Sequence, residues 1–178
     1  LYLTRQGDRI AVTKMVQQLG QPRQGVVIRN PYALCMLVRY AAKIAEEDPN
    51  MRAPLTQMLE GWLRHKSDMV NYEAARALCT MSGVSVEQQT RAISVLQMFL
   101  SSPPKVLKFA SVRTLAELAQ VRPAAIQSCN VDMESLITDS NRSVATYAIA
   151  TLLKTGNESS VDRLIKQISG FMSDISDE

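Results

Sequence analysis

Three stretches, VNYEAARAL at 70–78, LKFASVRTL at 107–115 and VATYAIATL at 144–152, follow one another at intervals of 37 residues and share one pattern. Each runs apolar, any, aromatic or Thr, any, small, apolar or small, any, small, Leu. Val70, Tyr72, Ala74, Ala75, Ala77 and Leu78 fill it first. Leu107, Phe109, Ser111, Val112, Thr114 and Leu115 fill it next, then Val144, Thr146, Ala148, Ile149, Thr151 and Leu152. A fainter copy, Tyr32, Leu34, Cys35, Leu37 and Val38, stands 40 residues upstream of the first. A recurring apolar period of this length marks an array of helix pairs in which no unit buries its own apolar face and each is completed by its neighbours. Small residues at the inner positions let successive second helices approach closely, while Leu78, Leu115 and Leu152 reach into the shared core.

Composition agrees with an all-α chain. Hydrophobic residues make up 46% and aromatics 5%, with nine Met, a pool suited to helices packed through small and flexible side chains. No segment alternates apolar and polar for long enough to make a strand. The expected elements are a helix over 8–20 that buries Ile10, Val12, Met15, Val16 and Leu19 and closes on Gly20, and a helix over 30–46 with Pro31 in its first turn. Three pairs follow, 54–66 with 68–82, 86–101 with 104–121, and 123–138 with 140–155, each antiparallel because its turn is short. Ser101 or Ser102 is expected to cap the helix opened by Pro103 and Pro104, Asp139 or Ser140 the helix after it, and Gly83 and Gly156 to end second helices. A last helix over 158–175 sets Val161, Leu164, Ile165, Ile168, Met172 and Ile175 on one side, with no second helix after it to cover them. Residues 1–178 are therefore expected to be a single α-solenoid fragment, a right-handed curved stack of about four helix pairs plus one partial unit cut from a longer trunk, with exposed apolar faces at both ends.

Several function classes find little footing. Twenty basic and 17 acidic residues give a net charge of +3, so nucleic-acid binding would need a continuous basic stripe rather than a bulk excess. Cys35, Cys79 and Cys129 lie 44 and 50 residues apart, which fits neither a metal knuckle nor a disulfide framework and suits reduced core thiols in a cytosolic protein. No run approaches the ~20 apolar residues of a membrane span, and the start LYLTRQGDRI lacks the layout of a signal peptide. His65 is the only histidine, which removes two-His metal motifs and leaves a nucleophile triad no choice of base. In WLRHKSD it suits a solvated position at a helix end.

Gly20 and Gly25 flank QPRQ without the Lys and Ser/Thr of a phosphate loop. Glu46, Glu47 and Asp48, like Asp174, Asp177 and Glu178, are expected to be solvated helix ends. Tyr72 and Phe109 share a register that suits core rather than a base-stacking ladder. Trp62, with Met58, Leu59 and Leu63, is expected to pack inward. Lys105, Lys108, Arg113 and Arg122 recur along one helix and could face an acidic partner or anionic lipid, a solvated polar face being the alternative. No catalytic, cofactor-binding or metal-binding residue is assigned, no partner-binding residue is identified, and the chain is expected not to be an enzyme.

The spacing of Asp139 and Val144, with the period itself, resembles a HEAT repeat. LVRYAAKIAEED, YEAARAL, SVLQMFLSSPPKVLKFASVRTLAELA and, above all, LITDSNRSVATYAIATLLKTGNESSVDRLIKQISGFMSDISDE resemble the adaptin-like N-terminal trunk of large vesicle-coat subunits, in the gamma branch of coatomer. The resemblance covers the whole chain and is weakest at VSVEQQT and QPRQGVV. It implies a structural coat subunit acting in Golgi to endoplasmic reticulum and intra-Golgi transport through protein–protein binding. The implied partners are a small zeta subunit, the other coat subunits, an Arf-family small GTPase in its GTP state docking upstream of these residues, and the cytosolic face of the Golgi membrane. No cofactor, nucleic acid or small-molecule substrate is implied. The alternative is another cytosolic HEAT-repeat scaffold, such as an adaptor large subunit, a transport receptor or a phosphatase scaffold.

Overall fold

A computed structural model of the chain describes residues 9–20, 28–101, 104–156 and 161–176, and among them every regular element is helical. In order these are α1 (Arg9–Gly20), α2 (Pro31–Glu47), α3 (Pro49–Trp62), α4 (Asp68–Thr80), α5 (Val86–Leu100), α6 (Lys105–Val121), α7 (Pro123–Ile126), a 3-10 turn (Gln127–Cys129), α8 (Asn130–Ser135), α9 (Arg142–Thr155) and α10 (Val161–Ser176). The fold is the expected α-solenoid type, built from packed helix pairs. Contacts divide the chain into two compact units, residues 1–92 and 93–178.

In the first unit α2 lies against both α3 and α4, α3 lies against α4, and α1 covers α2. The helices α2 and α4 carry the repeat, and their small inner residues allow the approach. Ala74, Ala75, Ala77 and Leu78 on α4 are buried, as are Leu34, Cys35, Leu37 and Val38 at the matching places on α2. Trp62 packs on a cluster of Leu34, Cys35 and Val70, and Leu59 and Leu63 are buried beside it, while Met58 is half-buried. In the second unit α9 lies against α6, α7 and α8. Ser111, Val112, Thr114 and Leu115 on α6 and Ala148, Thr151 and Leu152 on α9 are all buried, so the inner positions of all three strong copies stand in the core of their own units. Ile149 and Leu107 are half-buried and Thr146 is exposed.

The helix starts differ from expectation in instructive ways. The first helix of the first pair begins at Pro49 rather than 54, with Asp48 Oδ1 accepting the Asn50 N–H at 3.0 Å, and Pro54 sits inside it. Pro54 is the sixth residue of this helix, past the first turn, so its missing N–H leaves one intrahelical hydrogen bond unmade, on an exposed side. Pro104 occupies the N-cap of α6 without a side-chain bond, so Ser101 does not stand there, and the expected alternative Ser102, with Pro103, lies outside the described residues. Asn141, not Asp139 or Ser140, caps α9, accepting the Ser143 and Val144 N–H groups, because the Asp139 carboxylate is committed elsewhere. Gly83 stands beyond the end of α4, whose C-cap is Met81, and supplies a left-handed turn at φ 70°; Gly156 is the C-cap of α9 but is extended.

The stretch expected as one helix over 123–138 is broken into α7, the 3-10 turn and α8. Asn130, at the break, donates from Nδ2 to the Thr155 carbonyl at 2.9 Å and accepts the Thr155 hydroxyl at 2.6 Å, closing the C-terminal end of α9. On α1 only Val12 and Val16 of the expected set are buried; Ile10 and Met15 are exposed because α2 covers one side of the helix, and Leu19 lies outside the residues whose side chains are described. On α10 Leu164 is buried, Ile168 half-buried, and Ile165 and Met172 exposed, while Val161 and Ile175 are outside the description.

Candidate interaction surface

The face of α2 turned away from its core begins with Tyr32 and Met36, 67% and 55% exposed, and continues one turn on with Arg39. Met69, Tyr72 and Arg76 of α4 lie along the neighbouring helix, Tyr72 and Arg76 half-buried. Between the two rows sits Glu73, whose side chain is 5% exposed. It accepts Arg39 Nε at 2.7 Å and Arg39 Nη2 at 3.2 Å on its two oxygens, and Arg76 Nη2 at 2.5 Å. Burial pushes this carboxyl up, but the two guanidiniums outweigh it and hold the group below the usual carboxylate range. The fork geometry makes a bidentate clamp between adjacent second helices and leaves one surplus positive charge on the rim. The Cys35 thiol reaches the Met69 carbonyl at 3.6 Å across the same seam.

The second unit has an aromatic contact of its own. Phe109 and Tyr147 meet edge to face, centroids 5.9 Å apart, across α6 and α9. Neither Phe109 nor Tyr72 is fully buried, so the shared aromatic register is a half-covered seam rather than core. The four basic residues expected to recur along α6 do not form one patch. Arg113 pairs with Glu117 at 2.9 Å on the same helix, Arg122 is exposed at its far end, and Lys108 reaches Asp139 at 2.9 Å. Lys105 and Lys108 instead line a cleft of about 440 Å³ with Asp139, Ser140 and Arg142.

Four acidic residues of the first unit have structural work. Glu46 accepts the Ser82 N–H, Glu47 pairs with Lys43, and Asp48 caps α3. Arg91 reaches Glu60, which also accepts from Gln88. His65 stands half-buried in the turn after α3, and its Nδ1 accepts the Ser67 N–H at 3.0 Å. Asp177 and Glu178, the side chain of Asp174 and the loop at 21–27 with Gly25 lie outside the description. Ser85 and Gln88 exchange bonds at 3.2 Å in each direction, a capping box legible as SVEQ that the sequence reading passed over. Among the described residues no group of three or more His, Cys, Asp or Glu is placed to hold a metal, and no helix is long and apolar enough to cross a membrane.

Packed helix pairs with a sealed inner row make this chain a helical-repeat segment of the α-solenoid class. A family model described as the adaptin N-terminal region matches residues 1–178, and the chain belongs to that family. It is 52% identical to "Coatomer subunit gamma" of Arabidopsis thaliana, 51% identical to "Coatomer subunit gamma-1" of Homo sapiens and 51% identical to "Coatomer subunit gamma" of Drosophila melanogaster, in each case over all of this chain. The chain spans 20% of the length of each of these relatives. A crystal structure of an engineered protein aligns with a TM-score of 0.56 over 89% of this chain and 69% of its own, at 18% identity, a likeness of fold.

Proposed function

We propose that this chain is a trunk segment of a coatomer gamma subunit, a structural part of a vesicle coat that acts by gripping other proteins and catalyses nothing. The supporting observation is identity of about half the residues to coatomer gamma subunits of plant, human and fly, sustained across the entire chain. Its partners in this reading are the zeta subunit, the other large coat subunits and a GTP-bound Arf-family GTPase that contacts the trunk upstream of these residues. It works on the cytosolic face of Golgi membranes and on coated vesicles, carrying traffic within the Golgi and back to the endoplasmic reticulum. Nucleic acid is not a ligand, and binding to generic DNA that falls steeply with salt would contradict that. The 178 residues are one stretch of a longer repeat array; limited proteolysis of the full-length chain that releases residues 1–92 as a stable product would overturn this.

The deciding experiment is co-purification of the full-length chain with zeta subunit, with and without GTP-locked Arf GTPase. Retention of zeta in both conditions and of the GTPase only in its GTP state is expected. Failure with both partners removes the coat assignment and leaves the fold untouched.

A further inference from the structure

We propose that the outer face shared by α2 and α4 docks an acidic peptide segment of a partner protein, one that carries a large apolar anchor. Two contacts fix how the helices meet there. The Cys35 thiol reaches the Met69 carbonyl at 3.6 Å, and Arg39 Nε reaches Glu73 at 2.7 Å. Both join residues 34 apart, so the helices run side by side in the same direction and Met36 stands level with the turn between Met69 and Tyr72. Tyr32 and Met36, one turn apart on α2, lie on one side of that helix. They are 67% and 55% exposed and Met69 is 37% exposed, so the first half of the shared face is an apolar strip rather than a single stray side chain.

Beyond the strip the chemistry changes to charge. The side chains of Arg39 and Arg76 are 56% and 38% exposed, whereas the Glu73 that they share is 5% exposed. The charges are sorted by depth: the carboxylate lies beneath, and a partner meets guanidinium. Arg39 spends Nε and Nη2 on Glu73 and Arg76 spends Nη2. A guanidinium carries five N–H donors, so both keep donors for a second carboxylate. No exposed acid stands between Tyr32 and Arg39 or between Met69 and Arg76; Asp68, just before Met69, follows the exposed Lys66 by two residues.

Tyr, Met and Arg are the residues enriched at the centres of protein interfaces, from which Lys, Glu and Asp are depleted. Methionine adapts to apolar groups of varied shape, and arginine grips a carboxylate through its fork. An apolar strip that ends in exposed guanidinium therefore complements a segment in which a large aliphatic or aromatic side chain neighbours Asp or Glu. Two of the three side chains of the strip are methionines, which offer a nucleic-acid base no ring to stack on. The inference is independent of the coat assignment.

The test selects phage-displayed random dodecapeptides on the full-length chain at low salt and measures the recovered peptides by fluorescence anisotropy. Recovered sequences rich in Asp and Glu around Leu, Phe or Trp are expected. Their binding should weaken roughly tenfold in Tyr32→Ser/Met36→Ser, and likewise when their acids are exchanged for amides. Leu153→Ser, which alters an equally exposed apolar side chain of the second unit, is expected to leave binding unchanged. Unaltered thermal melting of the variants separates lost docking from lost folding. Recovery of no peptide, a pool without acidic excess, binding indifferent to the double variant, or equal loss in Leu153→Ser overturns the proposal. Self-association in sedimentation, or binding to phosphatidylserine vesicles, that disappears in the double variant also overturns it, because a second copy or a membrane would then occupy the face.

Discussion

Ser111 occupies the same inner place on α6 that Ala74 holds on α4 and Ala148 on α9, and all three side chains are buried. Its hydroxyl has no hydrogen-bond partner, so an uncompensated polar atom sits where the repeat elsewhere uses a methyl. Ser111→Ala is expected to stabilise the protein by up to about 1 kcal/mol, visible as a raised Tm. Leu115, fully buried four residues on, is expected to cost about 2–5 kcal/mol as Leu115→Ala through the cavity it leaves. Ala75→Glu on α4 should cost more still, since its charge would meet a closed seam with no partner; circular dichroism melts that stay at the wild-type temperature would reject the register. Glu73 supplies a pH signature. Its folded pKa lies below the ordinary value, so the clamp stabilises fully above about pH 4.3 and its contribution disappears as pH falls through the depressed value. Glu73→Gln is expected to lower Tm at neutral pH and to flatten, without abolishing, the acid loss, since Asp139 is held low as well.

At the scale of elements, the second helices were the most legible part of the chain. Their inner rows need small residues at fixed register, and that requirement writes a period into the sequence. The first helices were less so. Pro49 and Pro54 both look like helix openers, and only the Asp48 cap decides between them. The break at 127–129 leaves no Gly or Pro behind; Asn130 is recruited by Thr155, 25 residues away, a bond that no local pattern encodes. The Glu73 clamp was hidden for the same reason, because its Arg39 partner stands 34 residues off and an isolated Glu on a helix resembles a solvated one. Half of the cationic cleft was visible as recurring Lys on α6, but Arg142 joins it only when α9 packs alongside. Asn130→Ala is expected to lower stability by about 1–2 kcal/mol by orphaning the Thr155 carbonyl, while the Thr155 hydroxyl keeps its bond to the Thr151 carbonyl. Hydrogen exchange of the last turn of α9 should then accelerate more than that of α4, and uniform acceleration would show that the clasp does not act locally.

For the molecule as a whole, each unit carries its own internal reporter. Cys35 and Cys79 are buried in the first unit and Cys129 in the second, all as free thiols. Burial pushes the Cys129 thiol up to about 11, which suppresses its thiolate as well as its access. Alkylation under native conditions is expected to be slow at all three and to rise with denaturant as each unit opens, read by mass spectrometry of the labelled peptides; rapid labelling of Cys129 in the native protein would contradict the packing of α8. The inner row has a further consequence for how such a chain can change length. Inserting one residue turns everything after it by about 100° around the helix axis, which on α4 would bring Glu73 or Arg76 to the place where only Ala74 or Ala77 fits. A whole period could be added or removed with every contact type preserved, whereas a single residue inserted within these helices breaks the row, so an array of this kind tolerates change of length only in steps of one helix pair.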